Sequence, residues 1–162
     1  MSSEYIARPL TKSQVLQAFP LIQALDKRLT PQAWRQFAEA TFAGAGGEDR
    51  GHVITLQTAT GYIHALFVYW VREDLCDGRR MDVDHVVTFE LPGQVKALRA
   101  TLRVIEQMAR ESGCDMVNVA IPRQALPSWP DQSVLTSTFG DNGYSATTLN
   151  WCKTVRDAVA RR

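Results

Sequence analysis

Cysteine is scarce in this chain. The three present, Cys76, Cys114 and Cys152, stand far apart and form no C-x-x-C pair. That spacing argues against a disulfide framework and against a zinc site. Cys114 and Cys152 lie in apolar runs and read as small core residues. A surplus of either charge is missing too. Eighteen Lys and Arg face seventeen Asp and Glu, for a formal net charge of +1. A dedicated nucleic-acid binder would carry a basic excess. No apolar run reaches the ~20 residues that cross a bilayer. Residues 1–4 lack the basic-then-apolar layout of a secretory signal, so a cytoplasmic protein is expected. Repeats and low-complexity tracts are absent. What remains is a chain of 162 residues, 45% of them hydrophobic. By length it is one domain, 1–162, large enough to bury a core without staples.

From the N-terminus, Tyr5 to Leu10 reads as a short strand. Thr11 and Gln14 fit a capping box, with Leu10 and Val15 in the staple positions. Val15, Leu16, Phe19, Ile22 and Leu25 recur at helical spacing, and Pro20 predicts a kink or a restart. Thr30-Pro31 opens a second helix with Thr as cap. Its face of Trp34, Phe37, Ala38, Thr41 and Phe42 reads as core. Residues 44–51 are a loop by composition. His52 to Thr58 is a strand, Thr60-Gly61 a turn, and Tyr62 to Arg72 an apolar strand buried on both faces. His64 in it reads as a core histidine. Asp77-Gly78 turns the chain again.

The stretch from Gly78 to Cys114 organises the rest. From Arg79 to Leu91 the period is two. Met81, Val83, His85, Val87, Phe89 and Leu91 form one side, and Asp82, Asp84, Val86, Thr88 and Glu90 the other. Pro92-Gly93 breaks the ladder. Val95, Leu98, Leu102, Ile105 and Ala109 then recur at helical spacing, with Arg99, Arg103, Glu106 and Arg110 off that stripe. Gly113 stops the helix. Asp115 to Ile121 reads as a buried strand, and Asp131 caps a short helix to Phe139. Residues 140–143 turn, Tyr144 to Val155 forms one or two closing strands, and a basic tail follows from Asp157 to Arg162. The order predicts a mixed α/β layer structure. The closing strands leave edges that need covering, so a homodimer is expected.

Several of these residues match a known pattern. Gly61 before an apolar strand, Leu75, Gly78-Arg79, Val83-Asp84, Val86-Val87-Thr88, Ala109-Arg110 and Gly113-Cys114 follow one another in a familiar order. The order resembles the GCN5-related N-acetyltransferases (the GNAT superfamily) over most of the chain. The resemblance implies a mostly antiparallel sheet with helices on both faces and a splayed pair of parallel strands. It implies an acetyl-CoA or CoA cofactor, its pantetheine arm in the gap and its diphosphate at a helix N-terminus. Activity would be N-acyl transfer to a small-molecule or peptide amine. Main-chain groups of Val87, Thr88, Phe89 and Leu91 would hold the cofactor. So would the turn made by Gly93, Gln94, Val95, Lys96, Ala97, Leu98 and Arg99. Two departures stand beside the match. The family's turn, Gln/Arg-x-x-Gly-x-Gly/Ala, falls on Gly93, Lys96 and Leu98. The tyrosine many members place four residues before a Gly-aromatic pair is Phe139 here, ahead of Gly143-Tyr144. A degenerate, noncatalytic ligand- or protein-binding module on the same fold is therefore the alternative.

The residues carry some of this unaided. Lys96 and Arg99 sit at the start of the helix, where cations oppose the helix dipole and a bound anion would reverse the sign. Asp84, His85 and Glu90 lie close together on one strand and are the candidate bases for deprotonating an ammonium. His85 has the intrinsic pKa suited to that work.

Overall fold

The computed structural model describes residues 5–43, 50–91, 93–122, 125, 129, 131–147 and 152–155. β1 (Ile6–Pro9) leads through a 3-10 turn, Lys12–Gln14, into α1 (Val15–Leu25) and α2 (Pro31–Ala43). β2 (His52–Gln57), β3 (Ile63–Asp74) and β4 (Gly78–Thr88) follow as a meander, then α3 (Lys96–Glu111), β5 (Met116–Val119) and α4 (Gln132–Asp141). The five strands lie in chain order in one sheet, every neighbouring pair antiparallel except β4–β5.

Helices cover both faces. α1 and α2 pack on one side through Val15, Ala18, Ile22, Trp34 and Ala38 against Leu66, Val68 and Val87. α3 packs on the other through Leu98, Leu102, Ile105 and Ala109 against Ala65, Phe67, Met81, Val83 and Val86. The local signals account for the helix ends. Thr11 N and Oγ1 both donate to Gln14 Oε1, and Leu10 and Val15 are buried in one cluster. Thr30 Oγ1 accepts from Ala33 N at 3.1 Å, and Asp131 Oδ1 from Ser133 N at 2.8 Å. Trp34 is buried, its indole donating to Val15 O at 2.6 Å. That bond joins α2 to α1.

Three expectations are corrected. Pro20 lies inside a single α1, so the helix does not restart there. The missing donor faces Leu16, which is exposed, so solvent can serve the freed carbonyl there. Second, the period of two in β4 does not run through. Val68 pairs with His85 but Tyr69 with Val83, so Asp84 is an extra, bulged residue. The bulge puts Met81, Val83 and Val86 toward α3 and Val87 toward α1 and α2. Phe89 and Leu91, read as continuing the apolar face, are exposed. Third, 144–147 and 152–155 contain no strand, and among the described residues nothing pairs with the outer edge of β5. A groove of about 950 Å³ runs there instead, lined by β5, Leu135, Phe139 and Tyr144. Most of the loop 44–51, Pro92, residues 148–151 within the expected closing strands and the expected tail lie outside the described residues.

Candidate acyl-carrier site

β4 and β5 part company at the bulge. Their parallel register runs from Arg80–Met116 to Val83–Val119, closed by Ala120 N donating to Val83 O at 2.8 Å. β4 then continues to Thr88 with no β5 partner. A bulge bends its strand and raises the local twist, so the neighbour that pairs before it loses register after it. Below the opening, the pair is clamped by a polar network. Asp82, 3% exposed, accepts from Arg80 Nε at 2.7 Å and from Asn118 Nδ2 of β5 at 3.4 Å, with Arg72 Nη1 of β3 at 3.5 Å. Arg80 reaches on to Asp74 and Asp77. Arg80 and Asp82, two residues apart on one strand face, are the only sign of this network in the sequence.

The ladder settles which main-chain groups face the gap. Phe89 N donates to His64 O at 2.7 Å, and Thr88 pairs with Ala65 and Val87 with Leu66. Directly opposite residues in an antiparallel pair alternate between bonded and non-bonded. Val87 and Phe89 therefore spend their amides on β3, and Val86 and Thr88 turn theirs outward. Val86, not among the carrier-binding residues expected from the sequence, therefore turns its amide to the gap beside Thr88, while the amides of Val87 and Phe89 are spent on β3. Thr88 adds a second feature. Its Oγ1 is buried and has no hydrogen-bond partner among the described residues.

Asp84 and His85 stand at the mouth of the gap, both half-buried. The His85 ring meets Phe37 of α2 edge-on, centroids 6.2 Å apart. Burial holds its pKa below the ordinary 6.5, and Asp84 opposes that shift. His85 is thus a neutral imidazole at pH 7, able to accept a proton. His64 packs between Tyr5 and Phe89, away from the bulge.

Glu90 is placed otherwise. Its Oε1 accepts from Leu98 N at 2.7 Å in the first turn of α3, with the Ala97 amide beside it also favouring the charged carboxylate. Burial raises its pKa; those two amides and His64 pull it back. Of the three candidate bases, the structure brings Asp84 and His85 together and assigns Glu90 to the helix end. Leu98, at 0% exposure, points into the α3 core and does not wall off the turn. Gly93 supplies the bend with φ +76°. Val95, Lys96 and Arg99 complete the turn, with Lys96 and Arg99 exposed.

The arrangement has counterparts among solved structures. A putative acetyltransferase from Agrobacterium tumefaciens matches with a TM-score of 0.70 at 18% identity, over 92% of this chain and 99% of that one. An aminoglycoside N-acetyltransferase solved with CoA matches at 0.70 and 13%, over 96% and 97%. The ribosomal-protein-alanine N-acetyltransferase of Brucella melitensis matches at 0.67 and 13%, over 93% and 98%. The fold is that of the GCN5-related N-acetyltransferases. No protein-family model and no curated sequence relative matches the chain. At these identities the GNAT likeness is one of architecture, so the chemistry rests on this chain's own residues.

Those residues fit most of an acyl-CoA. Outward main-chain groups at Val86 and Thr88 and the unpartnered Thr88 hydroxyl suit the amides of a pantetheine arm. The diphosphate end fits once Glu90 yields the α3 amides. Phe139 packs edge-on against Tyr144 at 5.3 Å and offers no acidic hydrogen. Burial, with Glu106 adding to it, pushes the Tyr144 phenol up to about 12, so it keeps its proton. No helix among the described residues is long and apolar enough to cross a membrane.

Proposed function

We propose that the protein is an acyl-CoA-dependent N-acyltransferase, with acetyl-CoA as the donor and a small-molecule or peptide amine as acceptor. The observation that carries the reading is the parting of β4 from β5 at Val83, with β4 main chain left open beyond it. Bound acyl-CoA supplies an activated carbonyl for direct attack by an amine. Val86 and Thr88 orient the arm through main-chain groups, as a missing sheet partner would be oriented. A gap-facing amide on this strand is placed to polarise the acyl carbonyl. Asp84 and His85 take the proton an ammonium acceptor must lose before it attacks, and neutral His85 has the lone pair for it. Phe139 has no acidic hydrogen to give the departing thiolate, so water protonates it. General acid help is worth about 10²–10⁴-fold, and turnover is slower by that order than with a placed acid.

A second reading has an observation of its own. The Glu90 carboxylate on Leu98 and the aromatic Phe139 are what a catalytically degenerate binding module would show. Calorimetry and thermal shift with CoA and acetyl-CoA, followed by CoA release over an amine panel, separate the two. The enzyme reading expects binding and release of free thiol with at least one amine. Absence of binding in both assays overturns it, and binding without turnover selects the module.

A further inference from the structure

The N-terminus of α3 already holds an anion, and the anion is part of the protein. Val95 makes no side-chain cap and the first turn contains no acidic residue. Glu90 instead reaches over the Gly93 turn to put Oε1 2.7 Å from Leu98 N. Lys96 and Arg99 flank that place, are exposed, and make no ion pair among the described residues. One negative charge thus sits on a first-turn amide, between two exposed cations that form no ion pair among the described residues. A diphosphate would use the same donors and match the cations better, and both cannot be seated at once. The segment bearing Glu90 lies outside regular structure, between β4 and α3. Its neighbours Phe89 and Leu91 are 59% and 57% exposed, so core packing does little to hold it.

From this we infer that Glu90 is a specificity-determining residue of the carrier site: its carboxylate stands in for the carrier's diphosphate and must leave before a nucleotide-linked carrier seats fully. The inference rests on the carrier reading above. Its consequence is a weak preference for CoA over the bare pantetheine arm, because part of the phosphate attraction goes into displacing Glu90.

The test is isothermal titration of wild type, Glu90→Gln and Glu90→Ala with CoA, with pantetheine and with inorganic pyrophosphate, alongside thermal unfolding. Removing the charge is expected to tighten CoA about tenfold and pyrophosphate similarly, while pantetheine is unchanged. Glu90→Ala should also lower Tm, since Leu98 N loses its acceptor. Lower stability with tighter binding is a pairing that a purely structural cap does not produce. Glu90→Gln keeps a carbonyl for Leu98 and guards against misfolding of the alanine variant. Equal CoA affinity in all three proteins overturns the inference and leaves the carrier reading standing. Pyrophosphate tightening without any CoA or pantetheine binding supports the seat and overturns the carrier reading. No tightening of either phosphate ligand overturns the inference.

Discussion

Replacing Thr88 by valine should make the free protein more stable and its binding of CoA weaker. The Thr88 hydroxyl oxygen is buried and has no hydrogen-bond partner among the described residues, and it stands opposite Ala65 at the open end of β4. A buried polar group left unsatisfied costs about 1–3 kcal/mol. Valine keeps the β-branched shape that a strand favours and removes the oxygen. Taking the low end of that range, because Thr88 as a whole is only half-buried, gives a gain of about 1–1.5 kcal/mol. For a chain of this length that is a rise in Tm of about 2–6 °C. The lost donor should weaken CoA by about fivefold, the worth of one ordinary hydrogen bond. Calorimetric unfolding with and without ligand reads both numbers. A fall in Tm in the free protein would refute the reasoning, because it would mean that the hydroxyl has a partner.

Three further outcomes follow from the same geometry. Leu98→Ala should cost about 2–5 kcal/mol in chemical denaturation, as for a fully buried leucine, since its side chain is at 0% exposure in the α3 core; a near-neutral result would place it at the turn surface. Asp82→Ala removes a buried carboxylate shared by Arg80, Arg72 and Asn118 and should cost about 3 kcal/mol. Faster hydrogen exchange at the β4–β5 pairing should accompany that loss, and unchanged exchange there would show that the network does not clamp the pair. His85 has a folded-state pKa depressed below 6.5, so the folded protein binds fewer protons there than the unfolded chain. Its contribution is full above pH 6.5 and is lost as pH falls through the lower folded value. His52, also lowered by burial, shares the slope. Thermal melts of His85→Gln between pH 7.5 and 5 should therefore decline less steeply than wild type, and equal slopes would contradict the burial argument.

Much of the architecture was written in local signals. The stripe Leu98, Leu102, Ile105 and Ala109 kept one period and became one buried face. Thr30 and Asp131 each cap as their position suggests. The bulge was not legible, because Val86, Val87 and His85 are all compatible with burial and hide a one-residue change of register. Its consequence, that Val86 and Thr88 rather than Val87 and Phe89 face the gap, depends on pairing with β3, which is a non-local fact. Glu90 was legible as a nearby acid but not as a helix cap, since eight residues and the Gly93 bend separate it from Leu98. An uncapped, acid-free first turn was the available hint. The closing strands expected from Tyr144 on have no ladder among the described residues.

Amide exchange along β4 reaches the central point without any assay of turnover. In the free protein the Val86 and Thr88 amides should exchange faster than those of Val87 and Phe89, which are bonded to β3. Saturating acetyl-CoA should slow Val86 and Thr88 by about tenfold or more and leave Val87 and Phe89 nearly as they were. Exchange at Val86 and Thr88 that is unaffected by acetyl-CoA would show that the opening beside β5 does not hold the thioester arm.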